Sequence, residues 1–431
     1  MTTDSHDTIQ NTLNLLRSDA ADGSPEAAFR LGLALVSQSQ VDEALDCYRR
    51  AAGAGHAGAQ VQLGRMLLYG IACDAAPTEA VEWLLRAETE GNDVMAGYLL
   101  ALIALGGVAL PRDPQINRRV LAAVQAEYPP AMLAAAIHFG RKPDDADQAR
   151  CMHLLERATH HGEAMAARLL VERLRRGEGC QAQPERAAHL AQRLAAHNLP
   201  PLPPTGAATP AMAVGLEPTP GMLTLEDALH PPPTVVLSQQ PRISMVEELL
   251  SADECRLLIA SGQAGLRRSR AVDPSTGEPQ ALELRTSSDA SIDPVQEDLA
   301  LRLVQLRLAR AAGIELVQAE HLVVLRYAPG EQYRPHRDYL PPEAQAANRP
   351  QAGNRIRSIC TYLNPVEAGG ETQFPSVAIT VAPSPGRAVV FDNLLADGQP
   401  DPDSLHAGLP VQRGEKWLAT LWLRERKYRD Y

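Results

Sequence analysis

One pattern recurs through the first two hundred residues. "GSPEAAFRLGLAL" from Gly23 matches "GHAGAQVQLGRML" from Gly55 and "GNDVMAGYLLALI" from Gly91, with weaker echoes from Glu127 and His161. The equivalent positions Leu31, Leu63, Leu99, Ala135 and Leu169 lie 32, 36, 36 and 34 residues apart. Second helices such as "VDEALDCYRRAAGAG" and "PTEAVEWLLRAETEG" stand between them. A helix hairpin of this size leaves an apolar face that it cannot bury alone, so the units are expected to stack into a solenoid. This predicts helical repeats over residues 10–198.

The A-x-x-x-L-G element at Ala59 to Gly64 and the A-x-x-W-x-x-x-A element at Ala80, Trp83 and Ala87 resemble the Sel-like subfamily of tetratricopeptide repeats. The resemblance implies a surface that binds proteins or peptides and carries no chemistry. The seven His between 56 and 197 are expected on solvated helix surfaces. Residues 94–110 are uncharged and reach the lower length limit of a membrane span. They fall in register with the repeat, which predicts a buried helix.

Helical periodicity stops near Asn198, and 11 Pro follow between residues 199 and 241. That composition predicts an extended, semi-rigid connector. A second domain is expected over 242–431. It opens with a helix near Ser251, with Glu254 at the capping-box spacing, and another helix about 295–312. Strands are then predicted at 321–330, 355–364, 387–393 and 416–425, separated by turn residues. The fold class is therefore α+β and multidomain: a repeat solenoid, then a β-sandwich or jelly roll braced by helices, a choice that the family resemblance given below narrows to a double-stranded β-helix (jelly roll) with supporting helices.

Within the strand region stands "YRPHRDYL". Pro335 disfavours a helix there, and in an extended chain the side chains of His336 and Asp338 point to the same side. His406 precedes another predicted strand, 68 residues after Asp338. Two imidazoles and one carboxylate with open positions form the facial arrangement of non-haem Fe(II) oxygenases; a zinc hydrolase uses the same three ligands with a bound water. Lys416, ten residues past His406, begins a predicted core strand. A buried lysine is costly without a fixed anion, and the far carboxylate of a dicarboxylate cosubstrate supplies one. His321 lacks a companion motif and reads as structural.

"VLRYAPGEQYRPHRDYL", "NRIRSICTYLNPVEAGGETQFP", "GRAVVFDN" and "SLHAGLPVQRGEKWLATLWLRER" closely resemble the prolyl 4-hydroxylase family of Fe(II)/2-oxoglutarate dioxygenases, from about residue 243 to 425. The resemblance implies iron ligation by His336, Asp338 and His406. It implies 2-oxoglutarate binding by Lys416, Tyr327 and Thr372, and a groove for peptidyl proline walled by Tyr333, Arg355 and Trp422. Arg357 shares a strand face with Arg355 and is a second candidate for the site. The implied cofactors are Fe(II), 2-oxoglutarate and dioxygen, with ascorbate as reductant. The implied reaction hydroxylates proline and releases succinate and carbon dioxide. The same chemistry on another residue or a small metabolite, and an adaptor or sensor with little turnover, are alternatives at this point. Segment 340–354 is expected to act as a lid.

Composition narrows the partners. A net charge of -11 argues against nucleic acid and anionic membrane. The six Cys lack C-x-x-C spacing, and the first residues lack a signal-peptide pattern. These point to a cytoplasmic protein, and the partner that the two resemblances imply is a protein or peptide substrate, recruited by the repeats.

Overall fold

The computed structural model describes residues 3–206, 222–269, 271–272, 279–280 and 284–431. The middle of the expected connector, residues 207–221, lies outside them. Two compact units divide the chain: Met1–Tyr128 with Asp430–Tyr431, and Pro129–Arg429.

The first unit holds helices α1 (Thr3–Ala21), α2 (Pro25–Ser37), α3 (Val41–Gly53), α4 (Ala57–Tyr69), α5 (Pro77–Gly91), α6 (Val94–Gly106) and α7 (Gln115–Gln125). They pair as α2 with α3, α4 with α5, and α6 with α7. The first helix of each hairpin begins at a side-chain cap: Ser24 accepts from the Ala27 N–H, His56 from Ala59 and Asp93 from Ala96. Each cap satisfies one of the unpaired amide donors at a helix start. The recurring glycine has a packing reason. A Cβ at Gly64 would come 2.9 Å from Leu84, and one at Gly32 would come 2.5 Å from Tyr48, so only glycine allows the two helices of a hairpin this close. Helix α6 is buried from Ala96 to Leu105, as its register predicted. Among the described residues, no single helix is long and apolar enough to cross a membrane.

The second unit begins with α8 (Pro129–Gly140), α9 (Asp145–His160), α10 (Ala164–Arg176) and α11 (Pro184–Ala196). One expectation fails here: His138 is buried in α8. Its helix is apolar on every side, so the ring has no route to solvent.

Among the described residues, the rest of this unit contains α12 (Ala252–Gln263), α13 (Leu299–Ala311), α14 (Pro342–Ala347) and sixteen strands. These are β1 (Thr234–Gln239), β2 (Arg242–Val246), β3 (Arg267–Arg268), β4 (Ala271–Val272), β5 (Pro279–Gln280), β6 (Ser288–Ser291), β7 (Val323–Tyr327) and β8 (Tyr333–His336). They continue as β9 (Arg355–Tyr362), β10 (Ala368–Gly369), β11 (Thr372–Phe374), β12 (Ile379–Val381), β13 (Ala388–Asp392), β14 (His406–Gly408), β15 (Val411–Arg413) and β16 (Lys416–Arg424). An eight-stranded sheet runs β1-β2-β13-β9-β16-β7-β6-β3, and a four-stranded sheet runs β12-β11-β14-β8. Buried side chains of both sheets, among them Ile243, Tyr362, Phe374, Val389, Phe391 and Leu418, form one core. This is the expected jelly roll.

Helix α12 starts at a complete capping box between Ser251 and Glu254. It packs against β6 and β7, and α13 packs against β16. The same two helices receive α8 and α10 on their other contacts. Charges are buried there in pairs. Arg173 of α10 bonds Asp253 at 2.7 Å, Arg256 bonds Glu178 at 2.6 and 2.7 Å, and Glu254 meets both Arg141 and Arg307. The sequence boundary at residue 198 follows a change in texture, whereas the compact units follow packing. The last two hairpins share a unit with the jelly roll because α12 offers them acids and a base that need partners.

Candidate active site

Strands β8 and β14 pair antiparallel with His336 opposite His406. Their rings sit 4.2 Å apart between centroids. Asp338 follows two residues after His336, its Oδ1 3.6 Å from His336 Nε2 and its Oδ2 3.8 Å from His406 Nε2. The three candidate ligand atoms lie within 4.8 Å of one another.

The backbone settles which imidazole nitrogen is free. Nδ1 of His336 lies 2.9 Å from the Arg334 carbonyl, and Nδ1 of His406 lies 3.0 Å from the Ser404 carbonyl. A carbonyl only accepts, so each Nδ1 carries the proton and each Nε2 keeps its lone pair toward the common point. Burial, with His336 adding to it, drives the His406 pKa down to about 4. That favours the neutral ring a metal requires. Burial works against ionisation of Asp338, but His406, His336 and Arg355 outweigh it and hold the carboxyl well below its usual range.

Lys416 begins β16 directly opposite Tyr327 of β7. It is 2% exposed, its ammonium 5.0 Å from the Tyr327 ring and 5.4 Å from that of Tyr362. Burial pulls its pKa down to about 8. No carboxylate forms an ion pair with it among the described residues. Thr372 of β11 is opposite Gly408 of β14, and its hydroxyl accepts from the Tyr362 hydroxyl at 2.6 Å. Tyr327 is buried and hydrogen-bonded to Ser287, burial being the larger influence and raising its pKa.

One pocket is lined by His336, Asp338, His406, Lys416, Tyr327, Thr372, Tyr333 and Trp422. Tyr333 stacks on His336 with centroids 3.3 Å apart. Trp422 donates its indole N–H to Asp338 at 2.9 Å. Arg355 stands behind the wall. It bonds Glu320 at 2.7 and 2.8 Å, donates to the Asp338 backbone carbonyl and lies 4.1 Å over the Trp422 ring. Arg357 turns elsewhere, bonding Asp392 and the Ala312 carbonyl at the end of α13. Segment 340–354 carries α14 and is fastened at its ends: Leu340 and Asn354 exchange bonds of 2.7 and 3.0 Å, and Arg424 holds the carbonyls of Asn348 and Gly353.

Sequence reasoning missed Arg285, Cys360 and Thr420, which also line the pocket. It also missed Ser358, which donates to Asp338 at 2.6 Å, and Glu320. Alternation along β9 puts Ser358 and Cys360 on the face opposite Arg355 and Arg357, so a reading that turned the arginines toward the site turned these two away from it.

The sequence signature of the 2OG-Fe(II) oxygenase superfamily matches residues 322–424, which include every residue of the His-Asp-His cluster and Lys416. The Arabidopsis thaliana protein "Prolyl 4-hydroxylase 1" is 35% identical over 205 residues, covering 44% of this chain and 71% of that protein. The chain belongs to the prolyl 4-hydroxylase family. As a member of the prolyl 4-hydroxylase family it is a 2-oxoglutarate-dependent dioxygenase, and the family uses Fe(II), 2-oxoglutarate and dioxygen. A viral collagen prolyl hydroxylase from Paramecium Bursaria Chlorella virus-1 superposes with a TM-score of 0.33 at 24% identity, covering 42% of this chain and 95% of that one. A Sel1 repeat protein from Oxalobacter formigenes superposes with a TM-score of 0.38 at 24% identity, covering 42% and 74%.

The residues present fit these groups. Two imidazoles and a carboxylate suit Fe(II). A buried ammonium with no counter-ion beside a hydroxyl-lined wall suits the far carboxylate of 2-oxoglutarate.

Proposed function

We propose that this prolyl 4-hydroxylase family member hydroxylates proline in a protein or peptide substrate. The observation that carries the reading is Lys416, buried with no ion-pair partner among the described residues, in the pocket that gathers His336, Asp338 and His406. Bound Fe(II) with 2-oxoglutarate and dioxygen supplies the oxidising power for hydroxylating an unactivated C–H bond, with release of succinate and carbon dioxide.

The chain's own residues do the rest. His336, Asp338 and His406 hold the metal, and the Arg334 and Ser404 carbonyls keep both rings aimed. Ser358 and Trp422 occupy Asp338 Oδ2, which leaves Oδ1 as the free ligand atom. Lys416 pairs with the C5 carboxylate of 2-oxoglutarate, with Tyr327 and Thr372 offering hydroxyls on the same wall. Tyr333 and Trp422 supply aromatic surface for the proline ring, and Arg355 steadies Trp422 from behind. Ascorbate serves as reductant. The repeats recruit the substrate, and the protein acts in the cytoplasm.

The test is turnover on proline-rich peptides with Fe(II), 2-oxoglutarate and ascorbate, following succinate and peptide mass together. One hydroxylation per succinate is expected, and none with His336→Ala. Succinate formed without modification of any proline peptide would overturn the substrate while leaving the dioxygenase chemistry intact.

A further inference from the structure

Away from the catalytic pocket, the second unit holds a cavity of about 310 Å³ between α10, α11 and the chain that leaves α11. Its walls are mainly apolar, with Val171, Leu194, Leu199 and Leu202 prominent. The size falls at the lower end of small-molecule sites, which span roughly 300–1,000 Å³.

Three charged side chains share the wall: Arg168, Glu172 and Arg175. Glu172 is buried and already paired with Arg175 and Arg176. Arg168 is 6% exposed and meets neutral acceptors alone. It donates to the Pro200 carbonyl at 2.9 Å, the Ala260 carbonyl at 3.4 Å and the Gln263 side-chain oxygen. Its Nε has no hydrogen-bond partner. No carboxylate forms an ion pair with it among the described residues, and burial alone moves its pKa, downward. Ala260 and Gln263 lie in the last turn of α12, so the helix end offsets part of the charge, but such an end carries only about half a unit. A buried guanidinium with no full counter-charge is unfavourable.

We propose that this cavity binds a small monocarboxylate with an apolar body, its carboxylate paired with Arg168 and its hydrocarbon against Leu194, Leu199 and Leu202. The wall's charge sets the ligand's sign: two arginines face one glutamate whose charge is already matched. The apolar surface sets the rest, because a bare inorganic anion would leave those leucines facing water. The site stands independently of the substrate assigned to the catalytic pocket.

The experiment titrates the full chain with octanoate, and separately with octanol, by isothermal titration calorimetry. Octanoate is expected to bind once per chain, at least about tenfold more tightly than octanol, the preference that a charge-assisted bond confers. Arg168→Gln should bring octanoate down to the octanol level without changing octanol binding. Arg168 also holds Pro200 and Ala260, so a second variant leaves it untouched: Ala191→Phe fills the cavity and should remove both ligands. No saturable octanoate binding by the folded chain would overturn the proposal. So would equal affinity for octanol, or octanoate binding that survives either substitution in folded protein.

Discussion

Trp422 of β16 donates its indole N–H at 2.9 Å to the carboxylate of Asp338, which lies just past β8 of the other sheet. The ring therefore does more than line a groove. Together with Ser358, itself held by Asn393 at 3.0 Å, it occupies Oδ2, the oxygen 3.8 Å from His406 Nε2, and so fixes the carboxylate with Oδ1 3.6 Å from His336 Nε2. Groups that orient a ligand in this way are typically worth about 10–100-fold in metal affinity. Trp422→Phe keeps the aromatic volume and loses the donor. Anaerobic Fe(II) titration in the presence of 2-oxoglutarate should show affinity lower by that factor, with unfolding temperature little changed.

Lys416, the residue proposed above to pair with the cosubstrate, destabilises the fold that carries it. Its pKa falls from 10.5 to about 8 on burial. In the empty protein its ammonium thus opposes folding fully below about pH 8, and the opposition fades as pH rises toward 10.5. A shift of that size corresponds to on the order of 3 kcal/mol. Lys416→Met should accordingly be more stable than the parent at neutral pH, by up to that amount, and the gap should close above pH 8. Urea denaturation across pH checks it. The same variant should bind 2-oxoglutarate about 10–100-fold more weakly, and parent affinity should fall as pH rises through about 8.

Glu320 serves two arginines, the half-buried Arg355 at 2.7 and 2.8 Å and the buried Arg424 at 2.9 Å. Burial raises its pKa, but the two guanidiniums prevail and hold it below the usual carboxylate range. Its contribution is therefore present above that range and lost as pH falls through it. Glu320→Ala leaves both cations unpaired and should cost about 3–5 kcal/mol of stability. The loss should shrink in acid, where the parent's carboxylate is also neutralised. Chemical denaturation at neutral and acid pH measures both.

Fragments test the packing of α12. Asp253, Glu254 and Arg256 are buried and depend on Arg173, Arg141 and Glu178 from the last two repeat hairpins. A fragment of residues 129–431 should unfold cooperatively. A fragment of residues 242–431 would keep the Asp253–Arg256 and Glu254–Arg307 pairs but lose Arg173, Arg141 and Glu178, and should be less stable than the longer fragment, with a lower unfolding midpoint by circular dichroism.

Much of this was legible in the chain itself. Leu31, Leu63 and Leu99 recur because each helix hairpin repeats one local packing problem, and local period is what a sequence displays openly. The strand that begins at Lys416 announced itself by a nearly continuous apolar run and by a charge out of place at its start. The partners of Asp338 did not. Ser358 and Trp422 reach it because β9 lies beside β16 in the sheet, a neighbourhood that no period along the chain encodes. Glu320 looked like any surface acid before a strand until two arginines, 35 and 104 residues further on, closed around it. The connector misled in the opposite sense: proline density marks where helices stop, whereas packing is decided by which side chains still need partners.

That last point bears on how such a chain can be recombined. A graft that exchanges residues 1–128 for another array would leave every counter-ion of α12 in place. Cutting at the proline-rich stretch, where composition invites it, would carry away Arg141, Arg173 and Glu178 with the donor. The natural seam for building chimaeras is thus the step from Tyr128 to Pro129, and hairpins on its far side travel with the catalyst as part of its foundation.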